Sequence, residues 1–314
     1  MGSLTTSSPD KIILRSAGAA SAQGSRPSQQ DQYTLILPRQ ISTESGKNIL
    51  CSAVYDGHVT ADVAIHAREN LPRFILDSPD LQTGQYENVI ESATKQEEAL
   101  LWKEFKGGNE VCGESGSTLA VCLLDLTDGV LVVGNLGDSH VLLCEQQTKK
   151  PWEVHRITKA HKPGSRTERS RIEEAGGVIN QEFGSPRLGS LNMSRALGDL
   201  QYKEPLINAA RPFSVEQEIA GFKAGQDQGD LLSRLPSIER RELSRDRQYV
   251  LLVTSDGVTD EMEDRAVLNR VIAHLGHGLE AREVAGKLVT EATNRPLSDN
   301  ATCVCVVMDG NEVA

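Results

Sequence analysis

Three short apolar runs follow one another in the middle of the chain: Ser117–Leu124 (STLAVCLL), Val130–Val133 (VLVV) and His140–Cys144 (HVLLC). Runs of this length bounded by turn residues read as buried strands. Only short turns separate them, so the pattern is a meander and the sheet must be antiparallel. Further strands are predicted at QYTLIL (Gln32–Leu37), Ile49–Tyr55, Tyr249–Thr254 and Ala301–Met308. Helical spacing of apolar residues marks Ala61–Leu76, with Thr60 as N-cap, and Tyr86–Phe105. Glu97 interrupts the second stripe and is expected at its rim. A short helix over Arg166–Ala175 should stop at Gly176-Gly177, and helices are expected at Asp264–Leu275 and Leu279–Thr293.

The chain has 314 residues, 38% of them hydrophobic, enough for one large domain with an ample core. Its net charge of −11 argues against a nucleic-acid or anionic-membrane partner, since phosphates call for a basic footprint. Six cysteines include no C-x-x-C pair, and most sit in apolar runs. They read as reduced thiols in an intracellular protein, and no zinc site is expected. No apolar run is long enough to span a membrane, and no secretory signal is visible. A cytoplasmic location is expected, with nuclear or mitochondrial ones as alternatives. MGSLTT fits the permissive pattern for myristoylation at Gly2. Residues 1–11 read as a flexible tail and 12–310 as one domain. Residues 216–247 look like a polar, loop-rich insertion with a short helix near Asp230–Leu235.

The chemistry concentrates in one recurring event, an aspartate delivered at a glycine-containing or polar turn beside an apolar run. Asp56, Asp138, Asp256 and Asp299 all fit it, and Asp260 follows Asp256 by four residues. Each alone is an ordinary turn residue. In ILCSAVYDGHVT, Asp56 is joined by Gly57, which permits close backbone approach, and by His58, suited to proton transfer near neutral pH. Carboxylates meeting in one cleft repel one another unless cations neutralise them. An oxygen-only ligand set without cysteine or paired histidine suits Mg²⁺ or Mn²⁺. Two such ions about 4 Å apart can activate water and stabilise phosphoryl displacement. This reading requires the aspartates to converge, which spacing alone does not establish.

The motifs QGSRPSQQD, VYDGH, ESGSTLAV, VGNLGDSH, ITKAHKP, RIEEAGG, LNMSRALGD, TSDGVTD and SDNAT occur in this order between about residues 21 and 308. Together they resemble the metal-dependent protein Ser/Thr phosphatases of the PPM family, the type 2C phosphatases. The resemblance implies an α+β fold, a four-layer α-β-β-α sandwich with two central antiparallel sheets. It implies two core metal ions and a third, more loosely held one. Asp56 would bridge the core ions, with the Gly57 carbonyl on one of them; Asp256 and Asp299 would hold the other. Asp31 would act through water. Asp138 and Asp260, with Asp256, would form the third site. Arg26 would bind the substrate phosphate, His58 would protonate the leaving oxygen, and a metal-bridging hydroxide would attack. Phosphorylated proteins would be the substrates, and a monomer is expected. The sequence departs from the family pattern at Gln30, Val59-Thr60 and Ala160, and its flap, residues 164–191, is short.

Other phosphatase chemistries do not fit. No cysteine has arginine six positions on, no GNHE-type motif occurs, and there is no P-loop. Two alternatives stay open: a catalytically inactive scaffold of the same fold, and a phosphatase of small phosphorylated molecules.

Overall fold

The structure, a computed structural model, describes residues 10–181, 184–208, 229–260 and 262–313. Two sheets dominate it. One holds β1 (Ile12–Ala22), β12 (Ala301–Gly310), β11 (Arg247–Thr254), β7 (His140–Gln147) and β8 (Glu153–Arg156), in that spatial order. The other runs β10 (Ser237–Glu242), β6 (Val130–Leu136), β5 (Leu119–Asp125), β3 (Ile49–His58), β4 (Gly116–Ser117) and β9 (Leu197–Gly198). β2 (Asp31–Ile36) also pairs with β3. All these pairings are antiparallel, as the meander required.

Strand pleating sorts side chains into layers. Along β3, Ile49, Cys51, Ala53 and Tyr55 face a core shared with α1 (Asp62–Leu76) and α3 (Tyr86–Lys106), which are linked by the short α2 (Pro79–Thr83). The intervening Leu50 and Val54 face the other sheet, in a core with Val253 of β11 and Val304 of β12. On the far side of that sheet, Leu252 and Cys305 pack against α7 (Asp264–Gly276) and α8 (Ala281–Thr293). Both sheets are therefore buried on both faces, which explains why their strands read as continuous apolar runs. The result is the α-β-β-α sandwich. The remaining α-helices among the described residues are short: α4 (Val111–Glu114), α5 (Arg166–Glu174) and α6 (Asp256–Thr259). All six cysteines are buried and unpaired. No helix among the described residues is long and apolar enough to cross a membrane.

Several expectations need correction. β1 was not predicted, because IILRSAGAASA lacks an apolar alternation. Its small residues serve packing: a side chain at Gly18 would collide with the backbone of Arg282 in α8. Residues 237–242, expected within a loop-rich insertion, form the edge strand β10, whose four consecutive charged residues, Glu239 to Glu242, are exposed. No helix forms at 230–235; residues 216–228 lie outside the described residues. So does most of the expected N-terminal tail, including Gly2. Ala61 rather than Thr60 precedes α1 as its N-cap. Glu97 is fully buried rather than at the rim, with the His66 ring nitrogen 2.5 Å away.

Candidate active site

The predicted residues collect where β2, β3, β7, β11 and β12 end or begin. Asp31 opens β2 and stands in register with Asp56 of β3. The Asp56 amide donates to the Thr118 hydroxyl at 3.1 Å, and Thr118 bonds Ser139 at 2.7 Å, next to Asp138. Thr254 of β11 pairs with His140 of β7, so Asp256, two residues on, lies close to Asp138. Asp256 starts α6 and its carbonyl accepts the Asp260 amide at 2.8 Å. Ser255 ties the two sheets together: its hydroxyl donates to Asp31 at 2.8 Å and accepts the Thr302 amide at 2.9 Å.

The loop that carries Arg26 is held by Asn300. Its side chain accepts the Gln30 amide at 2.8 Å and donates to the carbonyls of Gln23 and Ser28. The Arg26 guanidinium lies 2.6 Å from Asp299. Gly57 is needed for space: a Cβ there would stand 2.7 Å from the Gln30 carbonyl.

Electrostatics report the convergence that spacing could not. Burial raises the Asp56 carboxyl well above its ordinary range, and the charges of Asp31, Asp256, Asp138 and Asp299 raise it further. Asp256 is raised by burial and then by Asp138, Asp260 and Asp299, with Lys162 opposing. Burial pushes Asp31 up to about 6 against the pull of its hydrogen bond from Ser255. The six aspartates thus share one field. Oxygens of Asp31 and Asp138 are buried without a hydrogen-bond partner. An oxygen-only set with orphaned acceptors and mutual repulsion fits hard divalent cations. Lys162 of the AHKP motif is ion-paired with Asp138, a partner that the sequence reading did not foresee.

Another group of ligand-type side chains lies at the far end of β7. Glu145, Glu153 and His155 have oxygen or nitrogen atoms within 4.8 Å of one another. Glu145 lies five residues along the strand from His140, about 17 Å at strand rise. It is already paired with Arg247 at 2.8 Å, so this exposed cluster has a cation of its own.

His58 ends β3, two residues beyond Asp56. Its Nε2 is 2.7 Å from Asp199, which is fully buried. Burial alone would lower the imidazole pKa, but the Asp199 charge and hydrogen bond outweigh it, and the net shift is upward. The His58 Nδ1 makes no hydrogen bond. Gly116 allows this pair to form: a Cβ on it would collide with the Asp199 carboxylate and lie 2.7 Å from the His58 Nε2. Asp199 was missed as a functional residue although LNMSRALGD contains it. The signal was the same Gly-Asp after a strand, but the strand, β9, is only two residues long.

Beyond Lys162, a separate small core includes Ile172, Leu188 and Tyr202. Arg171 is bound to Glu168 and to the carbonyls of Asp230 and Ser194, a structural role. Arg195 completes the knot through Glu168 at 2.5 Å.

Comparison with known proteins agrees with this arrangement. The protein phosphatase 2C family model matches residues 16–301. The chain is 28% identical over 323 residues to Probable protein phosphatase 2C 4 of Paramecium tetraurelia, covering 98% of this chain and 95% of that protein. It is 30% identical to Probable protein phosphatase 2C 45 of Oryza sativa subsp. japonica, over 93% of this chain and 86% of that one. In fold it is similar to the crystal structure of a serine-threonine phosphatase 2C from Toxoplasma gondii. That match has a TM-score of 0.71 and 19% identity, and covers 95% of this chain and 99% of the other. The chain belongs to the protein phosphatase 2C family, the metal-dependent protein-serine/threonine phosphatases.

Proposed function

We propose that the aspartate cleft hydrolyses phosphoserine or phosphothreonine in protein substrates, with Mg²⁺ or Mn²⁺ as cofactor. The carrying observation is the convergence of Asp31, Asp56, Asp138, Asp256, Asp260 and Asp299 in one electrostatic field with unpartnered oxygens among them. Asp56 and the Gly57 carbonyl, with Asp256 and Asp299, would hold two core cations. Asp138 and Asp260, with Asp256, would hold a third, and Asp31 would reach a cation through water. Bound there, the cations would activate water at neutral pH and stabilise charge on the phosphoryl group.

The chain's own residues supply the rest. Arg26 is permanently charged and exposed at the mouth, and would exchange its contact with Asp299 for a bidentate grip on the phosphate. His58 would donate its proton to the departing serine or threonine oxygen. Asp199 holds the ring through Nε2, and Nδ1 is buried and free of any hydrogen-bond partner. The raised imidazole pKa keeps it protonated closer to neutral pH, as an acid requires. We read residues 12–310 as one phosphatase domain acting as an intracellular monomer, with the flap at 164–191 beside its cleft.

The test is phosphate release from a phosphothreonine peptide with Mn²⁺, with Mg²⁺ and with excess EDTA. Metal-dependent release that EDTA abolishes is expected, and Asp56→Asn or Asp256→Asn should eliminate it in folded protein. Full activity in either variant refutes the ligand assignment. Absence of release with every metal favours an inactive scaffold or a small-molecule substrate. His58→Ala should slow a phosphothreonine peptide much more than an activated aryl phosphate, whose leaving group needs no proton. Equal losses on both would remove His58 from the role of acid.

A further inference from the structure

Beneath the His58–Asp199 contact lies an ion pair that the cation-binding cleft does not use. Glu98 of α3 and Lys203 are 2.6 Å apart, with side chains 2% and 0% exposed. Each also holds backbone. Lys203 donates to the Ala196 carbonyl at 2.8 Å, and Glu98 accepts the Gly198 amide at 3.2 Å. The two contacts straddle Leu197 in β9, and Asp199 follows directly.

We propose that Glu98 and Lys203 are positioning residues for the general-acid step, fixing Asp199 and through it the ring of His58. This rests on the assignment of His58 as the acid. Three observations carry the inference. First, the segment that delivers Asp199 has little to hold itself: β9 and its partner β4 are two residues each. Second, Asp199 sits at φ 47° and ψ 43°, a left-handed conformation that costs an L-residue roughly 1–2 kcal/mol. Something outside the segment must keep it there. Its amide donates to Ser115 at 2.9 Å, and the Glu98–Lys203 pair secures the preceding residues. Third, a fully buried ion pair is a poor choice for stability alone, since hydrophobic residues of similar volume commonly do as well or better. What an apolar pair could not do is bond the Ala196 carbonyl and the Gly198 amide, and so set where Asp199 points. The geometry of the acid is in this way set from α3, a helix otherwise devoted to covering the sheet.

The test uses the Mn²⁺-loaded full chain. Removing one partner strands a buried charge, so the pair is replaced together as Glu98→Leu with Lys203→Met. Kinetics are compared on a phosphothreonine peptide and on para-nitrophenyl phosphate, with His58→Ala alongside. A misplacement of about 1 Å can cost about 100-fold. The expected result is a loss of that order in kcat on the peptide, with KM held and the aryl ester nearly spared. An unchanged ratio between the two substrates, in a double variant with native near-ultraviolet circular dichroism, overturns the proposal. If the double variant does not fold, Glu98→Gln with Lys203→Met keeps an acceptor for Gly198 while removing the bond to Ala196. The same ratio must then fall, and an unchanged one again overturns the proposal. If His58→Ala discriminates between the substrates and the double variants do not, only the positioning role fails. If His58→Ala fails to discriminate, the general-acid assignment falls and takes the positioning role with it.

Discussion

Without metal, the charge cluster that would bind cations works against the fold, and Asp31 makes that measurable. Its carboxyl is 2% exposed, and burial raises its pKa from the ordinary 3.8 to about 6. The folded state therefore binds a proton that the unfolded state releases between those values. By linkage, stability is highest below about pH 4 as far as Asp31 is concerned, and falls as pH rises through 6. At about 1.4 kcal/mol per tenfold change in proton affinity, the penalty at pH 7 reaches about 3 kcal/mol. Asp31→Asn removes the charge, and its amide oxygen can still accept the Ser255 hydroxyl. In EDTA at pH 7 the variant should be more stable than the wild type by up to about 3 kcal/mol. The advantage should shrink to nothing near pH 4. Urea unfolding followed by tryptophan fluorescence reads this, because Trp102 and Trp152 pack in the two opposite helix–sheet layers. With saturating Mn²⁺ the difference should narrow or reverse, since bound cations stabilise the charged form. A variant no more stable than wild type at pH 7 in EDTA, or an advantage independent of pH, would refute the reasoning.

Three further outcomes are expected. Val59→Gly should stabilise the protein by about 1 kcal/mol, because Val59 is a β-branched residue at φ 67° and 65% exposed; a loss of stability in thermal unfolding would show that its side chain has a contact worth more than the strain. Gly116→Ala should separate His58 from Asp199 and lower peptide turnover by about 100-fold in folded protein; turnover near wild type would mean that the contact is dispensable. Lys162→Met should destabilise the metal-free protein by leaving Asp138 buried and uncompensated, yet tighten binding of the weakest cation, since a competing charge is gone. Calorimetric titration with Mn²⁺ tests that sign, and weaker binding at the last site would make Lys162 a supporting group instead.

The strands buried on both faces were legible because such strands leave unbroken apolar runs, and β3, β5, β7 and β11 all do. Strands at sheet edges or beneath a close helix were not. β1 is small-residue and half-buried because α8 lies against it, and β10 carries charges because it faces solvent on an edge. Such strands form because a partner strand offers its hydrogen bonds, which no local pattern reports. The same divide runs through the helices. Glu97 and Glu98 look like breaks in a polar–apolar pattern, and their partners, His66 and Lys203, are 31 and 105 residues away in the chain.

For the site, the sequence by itself determined which residue types gather at the turns: aspartates without cysteine or paired histidine, a glycine beside His58, and the ordered motifs of the family. Those follow from local composition, so they can be read along the chain. Tertiary structure alone decided that six aspartates from five strand ends meet in one field, that Lys162 and Arg26 lie on two of them, and that Asp199 holds the imidazole. The reason is physical. Carboxylate repulsion, burial and hydrogen-bond geometry are functions of distance through space, and only the packing of two sheets brings residues nearly 300 positions apart within a few ångströms.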